Sequence, residues 1–139
     1  MTWIGYASLS AIFAGLVAVF GKIGIQGVDN TLATTVRAAV MFAVLLALAL
    51  ARGTLADVAA IERRSLFFIL LSGVAGAASW LCYFRALQLG DALRVAPVDR
   101  LSGAVTLILA ALLLHERAPL SAWAGTALML VGAVVVARS

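Results

Sequence analysis

Charge is what this chain has least of. Of 139 residues only 12% are Asp, Glu, Lys or Arg, and 65% are hydrophobic. A soluble domain carries about 25% charge. The polar residues here cannot cover a water-facing exterior, and the mean hydropathy of +1.15 points to lipid as the solvent. Cysteine is nearly absent: Cys82 stands alone, which excludes an intramolecular disulfide. Histidine is nearly absent too. His115 has only Glu116 beside it and lacks the further ligands a metal site needs.

No Lys or Arg precedes Lys22, so the first apolar run lacks the basic start of a cleaved signal peptide and reads as a true span. The ten basic residues, nine of them Arg, are dispersed without a stripe or interleaved aromatics, so nucleic-acid binding is not expected. No Gly-rich phosphate loop and no serine with a base and orienting acid can be found. The reading is of a non-enzyme without cofactor or metal.

What is present is five apolar stretches in succession. About 20 apolar residues cross a bilayer as a helix. The runs do not alternate as barrel strands would. Helices are expected at about 2–21, 30–51, 65–88, 95–114 and 118–137, forming one domain over 1–139. The expected fold is an all-α membrane protein, a bundle of five transmembrane helices. Gly21, Gly24 and Gly27 punctuate the first connector. Asp57, Glu62, Arg63 and Arg64 lie in the second, where an interfacial turn or short helix is expected. Pro119 belongs in the first turn of the last span, where its missing N–H matters least.

An odd number of spans puts the termini on opposite sides. Arg52, Arg63, Arg64 and Arg117 fall on the N-terminal side, against Lys22, Arg94 and Arg138 on the other. Cytoplasmic loops normally carry the excess of Lys and Arg. This near balance gives no firm topological instruction. Such a five-helix unit, with no inverted repeat inside it, resembles one half of an inverted pair. A second copy or a paralogous half would supply the rest.

Four ionisable residues lie inside spans: Arg37, Arg85, Asp99 and Arg100. Each costs roughly 2.5–3.5 kcal/mol at a helix centre and less near an end. All lie toward the side that carries the C-terminus, with Lys22 and Arg94 at its edge. One reading is a net-positive vestibule for anionic or zwitterionic, amino-acid-like solutes. The other is arginines snorkelling to anchor helix ends, which suits Arg85 and Arg100 better than the deeper Arg37. Asp99 is the natural ion-pair partner for one of the arginines; unpaired, it is a candidate proton site.

On the fourth helix Asp99, Ser102, Gly103, Thr106 and Ala110 share a face, and Pro97 near its start fixes the entry or unwinds the first turn. On the third, Ser72, Gly76, Ser79 and Tyr83 share a face bordered by Trp80. Opposed, these faces would line a groove. Ser72, Gly73, Gly76 and Ala77 read more simply as close-packing residues. Trp3 and Trp123 sit near span ends like an aromatic belt, whereas Trp80 is deeper and the better candidate for binding.

The run Trp80-Leu-Cys-Tyr-Phe-Arg-Ala-Leu-Gln-Leu-Gly90 followed by Val95-Ala-Pro-Val-Asp-Arg-Leu-Ser102 resembles the EamA family of the drug/metabolite transporter superfamily. Leu114, Glu116 and Arg117 before the last helix, and Gly125 and Gly132 within it, extend the resemblance over nearly the whole chain. The resemblance implies small-metabolite or drug transport by alternating access. It also implies two such domains of opposite orientation, where this chain has one. It would place Arg37, Trp80, Tyr83 and Pro97 near the cavity or its gating helices. His115 stands where glycine is common. The first helix lacks the glutamate that the related small multidrug resistance family uses for coupling.

The expected function is therefore a half-size secondary transporter working in the direction of export. Its substrate pathway would involve Arg37, Ser79, Trp80, Tyr83, Arg85, Asp99, Arg100 and Thr106, with Gly73, Gly76, Pro97 and Gly103 in packing or gating. The alternatives are a non-transporting scaffold or accessory subunit and, more remotely, a membrane-embedded enzyme. An arginine-rich basic complement suggests a GC-rich bacterium and its inner membrane.

Overall fold

Local chemistry sets the helix ends. In the computed structural model, which describes residues 2–139, helix α1 runs Trp3–Gly24, α2 Asn30–Arg52, α3 Arg63–Leu89, α4 Ala92–Asp99, α5 Ser102–Leu113 and α6 Leu120–Arg138. A short 3₁₀ segment, Thr54–Ala60, links α2 to α3. There are no strands among the described residues, and the protein is all-α.

Helix α2 starts where Asp29 caps it: its carboxylate accepts the Leu32 N–H at 2.9 Å. It stops at Gly53, whose φ of 69° is the left-handed conformation that glycine adopts without strain. The Gly53 N–H there reaches the Ala49 and Leu50 carbonyls. Gly27, at φ 73°, turns the chain between α1 and α2 in the same way. Pro119 sits just outside α6 as its N-cap rather than within the first turn.

Five helical stretches are long and apolar enough to cross a membrane, the fourth being Ala92–Leu113. That fourth span departs from expectation. It begins three residues earlier than the apolar run indicates and is not one helix. It breaks at Arg100–Leu101, leaving α4 and α5. Pro97 thus lies deep within α4, not at an entry. Its missing N–H leaves the Leu93 carbonyl without the usual i−4 donor. Past it the ladder tightens: Leu101 donates to Val98, Gly103 to Arg100 and Ala104 to Leu101, each an i−3 bond of 2.9–3.1 Å. The polar face expected along one continuous fourth helix is therefore divided. Asp99 closes α4, and Ser102, Gly103 and Thr106 belong to α5.

The third span is longer than expected, because Arg63 and Arg64 are helical and not connector. The 3₁₀ segment holds Asp57 where an interfacial turn or short helix is expected.

The chain forms two compact units. One takes α1 as far as Ile23 together with Ala86–Ser139; the other is Gly24–Arg85. In the first, α6 packs on α4 and α5. In the second, the 3₁₀ segment packs on α2, and α2 meets α3 through side chains.

Little apolar surface is buried. Between 0 and 6% of each span is buried inside the chain, and among the described residues only Ile25 and Leu87 are large side chains sealed off completely. A soluble protein would not survive this. In lipid the surrounding acyl chains do that covering, and what a span must satisfy internally is its backbone, which helices do.

Candidate functional site

Asn30, Thr34 and Arg37 are spaced by four and three residues, so they share one face of α2. That face meets α3. The Asn30 amide donates Nδ2–H to the Leu81 carbonyl at 3.1 Å. Buried Thr34 returns its hydroxyl to the Asn30 carbonyl at 2.8 Å, so it needs no partner across the helix pair. Asn30 Oδ1 is buried and has no hydrogen-bond partner among the described residues. A buried acceptor left unmatched costs about 1–3 kcal/mol.

Arg37, two turns in, places its guanidinium carbon 3.3 Å from the centroid of the Trp80 ring and 5.7 Å from that of Phe84. Trp80, Tyr83 and Phe84 follow the i, i+3, i+4 pattern on α3 and pack as a cluster. The Trp80–Tyr83 rings are 5.4 Å apart and nearly perpendicular; Trp80–Phe84 are 5.7 Å apart and tilted. Tyr83 and Phe84 are buried, while Trp80 and Arg37 stay partly open. The cluster fixes the indole, and the indole fixes the arginine.

The stacking geometry decides what the arginine can do. At 3.3 Å there is no room for an edge-on approach, so the guanidinium plane lies against the ring. A cation over an aromatic face gains about 0.5–2 kcal/mol, more when desolvated. The N–H donors all lie in the guanidinium plane, so stacking leaves them pointing sideways. None reaches an acceptor among the described residues. Arg37 therefore takes an aromatic partner, not the carboxylate that an ion pair would require. Snorkelling does not describe it either. Its head group rests on a residue nine positions before the end of α3, about 13 Å along that helix.

The other expected residues fall out differently. Ser79 and Arg85 on α3 are exposed, and along the expected face of Ser72, Gly76, Ser79 and Tyr83, Tyr83 is buried, Gly76 half-buried and both serines exposed. The buried face of α3 is instead Tyr83, Phe84 and Leu87, with Trp80 at its margin. A side chain added at Gly73 or Gly76 would meet nothing within 4 Å, so neither is a close-packing glycine within this chain. Gly103 is nearer a neighbour, the Met129 methyl, at 4.0 Å from where a Cβ would stand.

In the first unit Asp99 is half-buried and Arg100 exposed, and Thr106 turns its hydroxyl back to the Ser102 carbonyl of its own helix. Lys22, expected at the rim of a vestibule, is committed elsewhere. Its ammonium donates to the Leu87 carbonyl at 2.7 Å and the Gly90 carbonyl at 2.8 Å. These are the orphan carbonyls at the end of α3, so Lys22 is a helix cap supplied by another helix. Gly90 itself lies close to the start of α4: a Cβ there would come within 3.2 Å of Val95.

Phe84, Asn30 and Thr34 join the site without having been expected as site residues. Polar residues at helical spacing on α2 pick out Asn30 and Thr34 and lead from them to Arg37. Phe84 carries no such signal, since phenylalanine is ordinary in a span. No group of three or more His, Cys, Asp or Glu side chains able to hold a metal occurs among the described residues.

Comparison with known proteins points the same way as the site. The model of the EamA-like transporter family matches residues 1–138. An "uncharacterized transporter in cobO 3'region" from Sinorhizobium sp is 43% identical over 136 residues, covering 98% of this chain and 96% of that protein. No solved structure matches the chain.

Proposed function

The chain belongs to the EamA-like transporter family, and from that footing we propose that it is a secondary transporter exporting small metabolites or drugs across a bacterial inner membrane. It is a multi-pass membrane protein of a transporter family; direction, solute and mechanism are the proposal. Two five-span units, either two copies of this chain or this chain and a paralogue, would move by alternating access around a shared pathway.

One observation carries this reading. A charged, donor-rich group is held by an aromatic cluster well inside the membrane-spanning part of α2, with its hydrogen-bonding edge unmatched among the described residues. Intramembrane charge of this kind marks solute pathways. The pairing has support of its own. The spans bury almost nothing in one another. Glycines on α3 and α6 have open space where a neighbour would sit.

The test is flux. The purified chain, alone in proteoliposomes, is offered a labelled panel of amino acids, organic anions, neutral metabolites and drug cations. Saturable uptake of at least one solute class, above empty vesicles, is expected. No flux across the panel, together with stoichiometric co-purification of a different membrane protein, would replace the transporter reading with an accessory subunit.

A further inference from the structure

We infer that Arg37, backed by Trp80, is the docking point for the carboxylate of a small organic anion. The inference deepens the transporter reading and rests on it for the passage of the anion across the membrane, though not for docking itself.

The guanidinium has a face and an edge, and only one of them is used. Its face is taken by the Trp80 indole at 3.3 Å. Its edge is not taken by any acceptor among the described residues. A planar fork of N–H donors matches the two oxygens of a carboxylate, and the resulting pair of charge-assisted hydrogen bonds is among the strongest neutral-pH contacts available. Among the described residues that edge stays open, although a cation in a span is costly when unpaired. Trp80 neither neutralises the charge nor uses the donors. It holds the fork rigid, which removes the ordering cost that a free arginine would bring to binding.

The surroundings say what the anion is attached to. Beside Arg37 the partly open surface is the Trp80 indole, with Tyr83 and Phe84 packed behind it. No acidic residue lies in α2, and Thr34 uses its hydroxyl locally. A carboxylate on an apolar or aromatic body fits this setting. A lipid phosphate is the alternative source of an oxyanion, but Arg37's head lies at the level of Trp80, more than two turns inside the end of α3 and so below the headgroups. A cation docking on Trp80 would have to displace Arg37 first.

The experiment uses the full chain in nanodiscs of zwitterionic lipid and measures equilibrium binding of radiolabelled benzoate, lactate and glutamate. Benzamide, a neutral isostere of benzoate, and benzylammonium serve as competitors. Saturable benzoate binding is expected, with unlabelled benzoate competing at least tenfold better than benzamide, and with benzylammonium failing to compete. In Arg37→Gln benzoate binding should fall about tenfold to a hundredfold, the range expected for losing hydrogen bonds between charged groups. Arg37→Lys should restore part of it and Trp80→Phe should lose only a few-fold.

The wild-type comparison of benzoate with benzamide needs no variant to fold. Equal competition by the two would overturn the inference, as would no saturable binding of any of the three carboxylates. Benzylammonium displacing benzoate from the wild-type protein as well as unlabelled benzoate does would overturn it in favour of a cation site on Trp80. A soluble short-chain phosphatidic acid displacing benzoate more tightly than unlabelled benzoate does, in the same zwitterionic nanodiscs, would overturn it in favour of a headgroup site. Carboxylate binding without flux removes the transporter reading and leaves this one standing. Flux of neutral or cationic solutes without carboxylate binding does the reverse.

Discussion

The guanidinium of Arg37 lies over the indole of Trp80, 3.3 Å from the ring centroid, and joins α2 to α3 inside the membrane-spanning part of the chain. The contact is both a fastening between two helices and a way of presenting charge. The two roles separate experimentally.

As a fastening, the pair should show up in a double-mutant cycle. Arg37→Met, Trp80→Leu and the double variant, unfolded in mixed micelles, are expected to give a coupling energy of about 1–2 kcal/mol. The sign is fixed by the geometry: each single change should destabilise, and the second should matter less once the first is made. Additive effects would mean that the contact contributes no stability.

Lys22 is the only lysine in the chain, which makes its cap on α3 simple to probe. Lys22→Met removes two hydrogen bonds from a charged donor and leaves two carbonyls unmatched. A loss of about 2–4 kcal/mol is expected. An amine-reactive reagent should modify Lys22 in the folded protein at least tenfold more slowly than in the denatured one. Equal rates would mean that the ammonium is not held.

His115 has φ 56°, the left-handed region, at the corner between α5 and α6. The turn lets the Glu116 N–H reach back to the Ala110 carbonyl, which also accepts from Leu114. A residue with a Cβ is strained there by about 1 kcal/mol, and glycine is not. His115→Gly is therefore expected to raise stability by about 0.5–1 kcal/mol, and His115→Val to lower it. Thermal unfolding reads both. No change in either would show that the corner relaxes out of this conformation.

Topology depends on charges at the span ends. On the topology expected from five spans, Arg52, Arg63, Arg64 and Arg117 fall on one side and Lys22, Arg94 and Arg138 on the other. With so small a bias, a C-terminal reporter active on only one side at a time should give signal from both sides. Adding two lysines to the Thr54–Ala60 segment should shift the population toward a cytoplasmic N-terminus. Signal from a single side in the unmodified chain would rule out insertion both ways and point to an oppositely oriented partner.

The helices are legible in the sequence because an uncharged run near 20 residues has few other fates. Arg37 and Trp80 are legible separately, each by its depth. Their meeting is not, since nothing in a single chain of apolar helices states which faces oppose. The face of α3 misleads for that reason. Small residues suggest Ser72, Gly76 and Ser79, whereas the buried side follows the aromatics. The break at Arg100–Leu101 is hidden because the fourth span as a whole stays apolar enough to cross a membrane, and Pro97 points to the wrong turn. Lys22 looks like a rim charge because a lysine's reach, about 6 Å of flexible stem, lets it serve carbonyls that are 65 and 68 residues away in sequence.

That reach has a mechanical meaning. Lys22 is at the end of α1, and the carbonyls it holds are at the end of α3 and the turn after it. A tilt of α1 must carry that end of α3 along or tear away two hydrogen bonds from a charged donor, at roughly 2–4 kcal/mol. Thermal motion seldom supplies that much. The two helix ends travel as one lever, and any rocking of the protein between its states has its joint elsewhere.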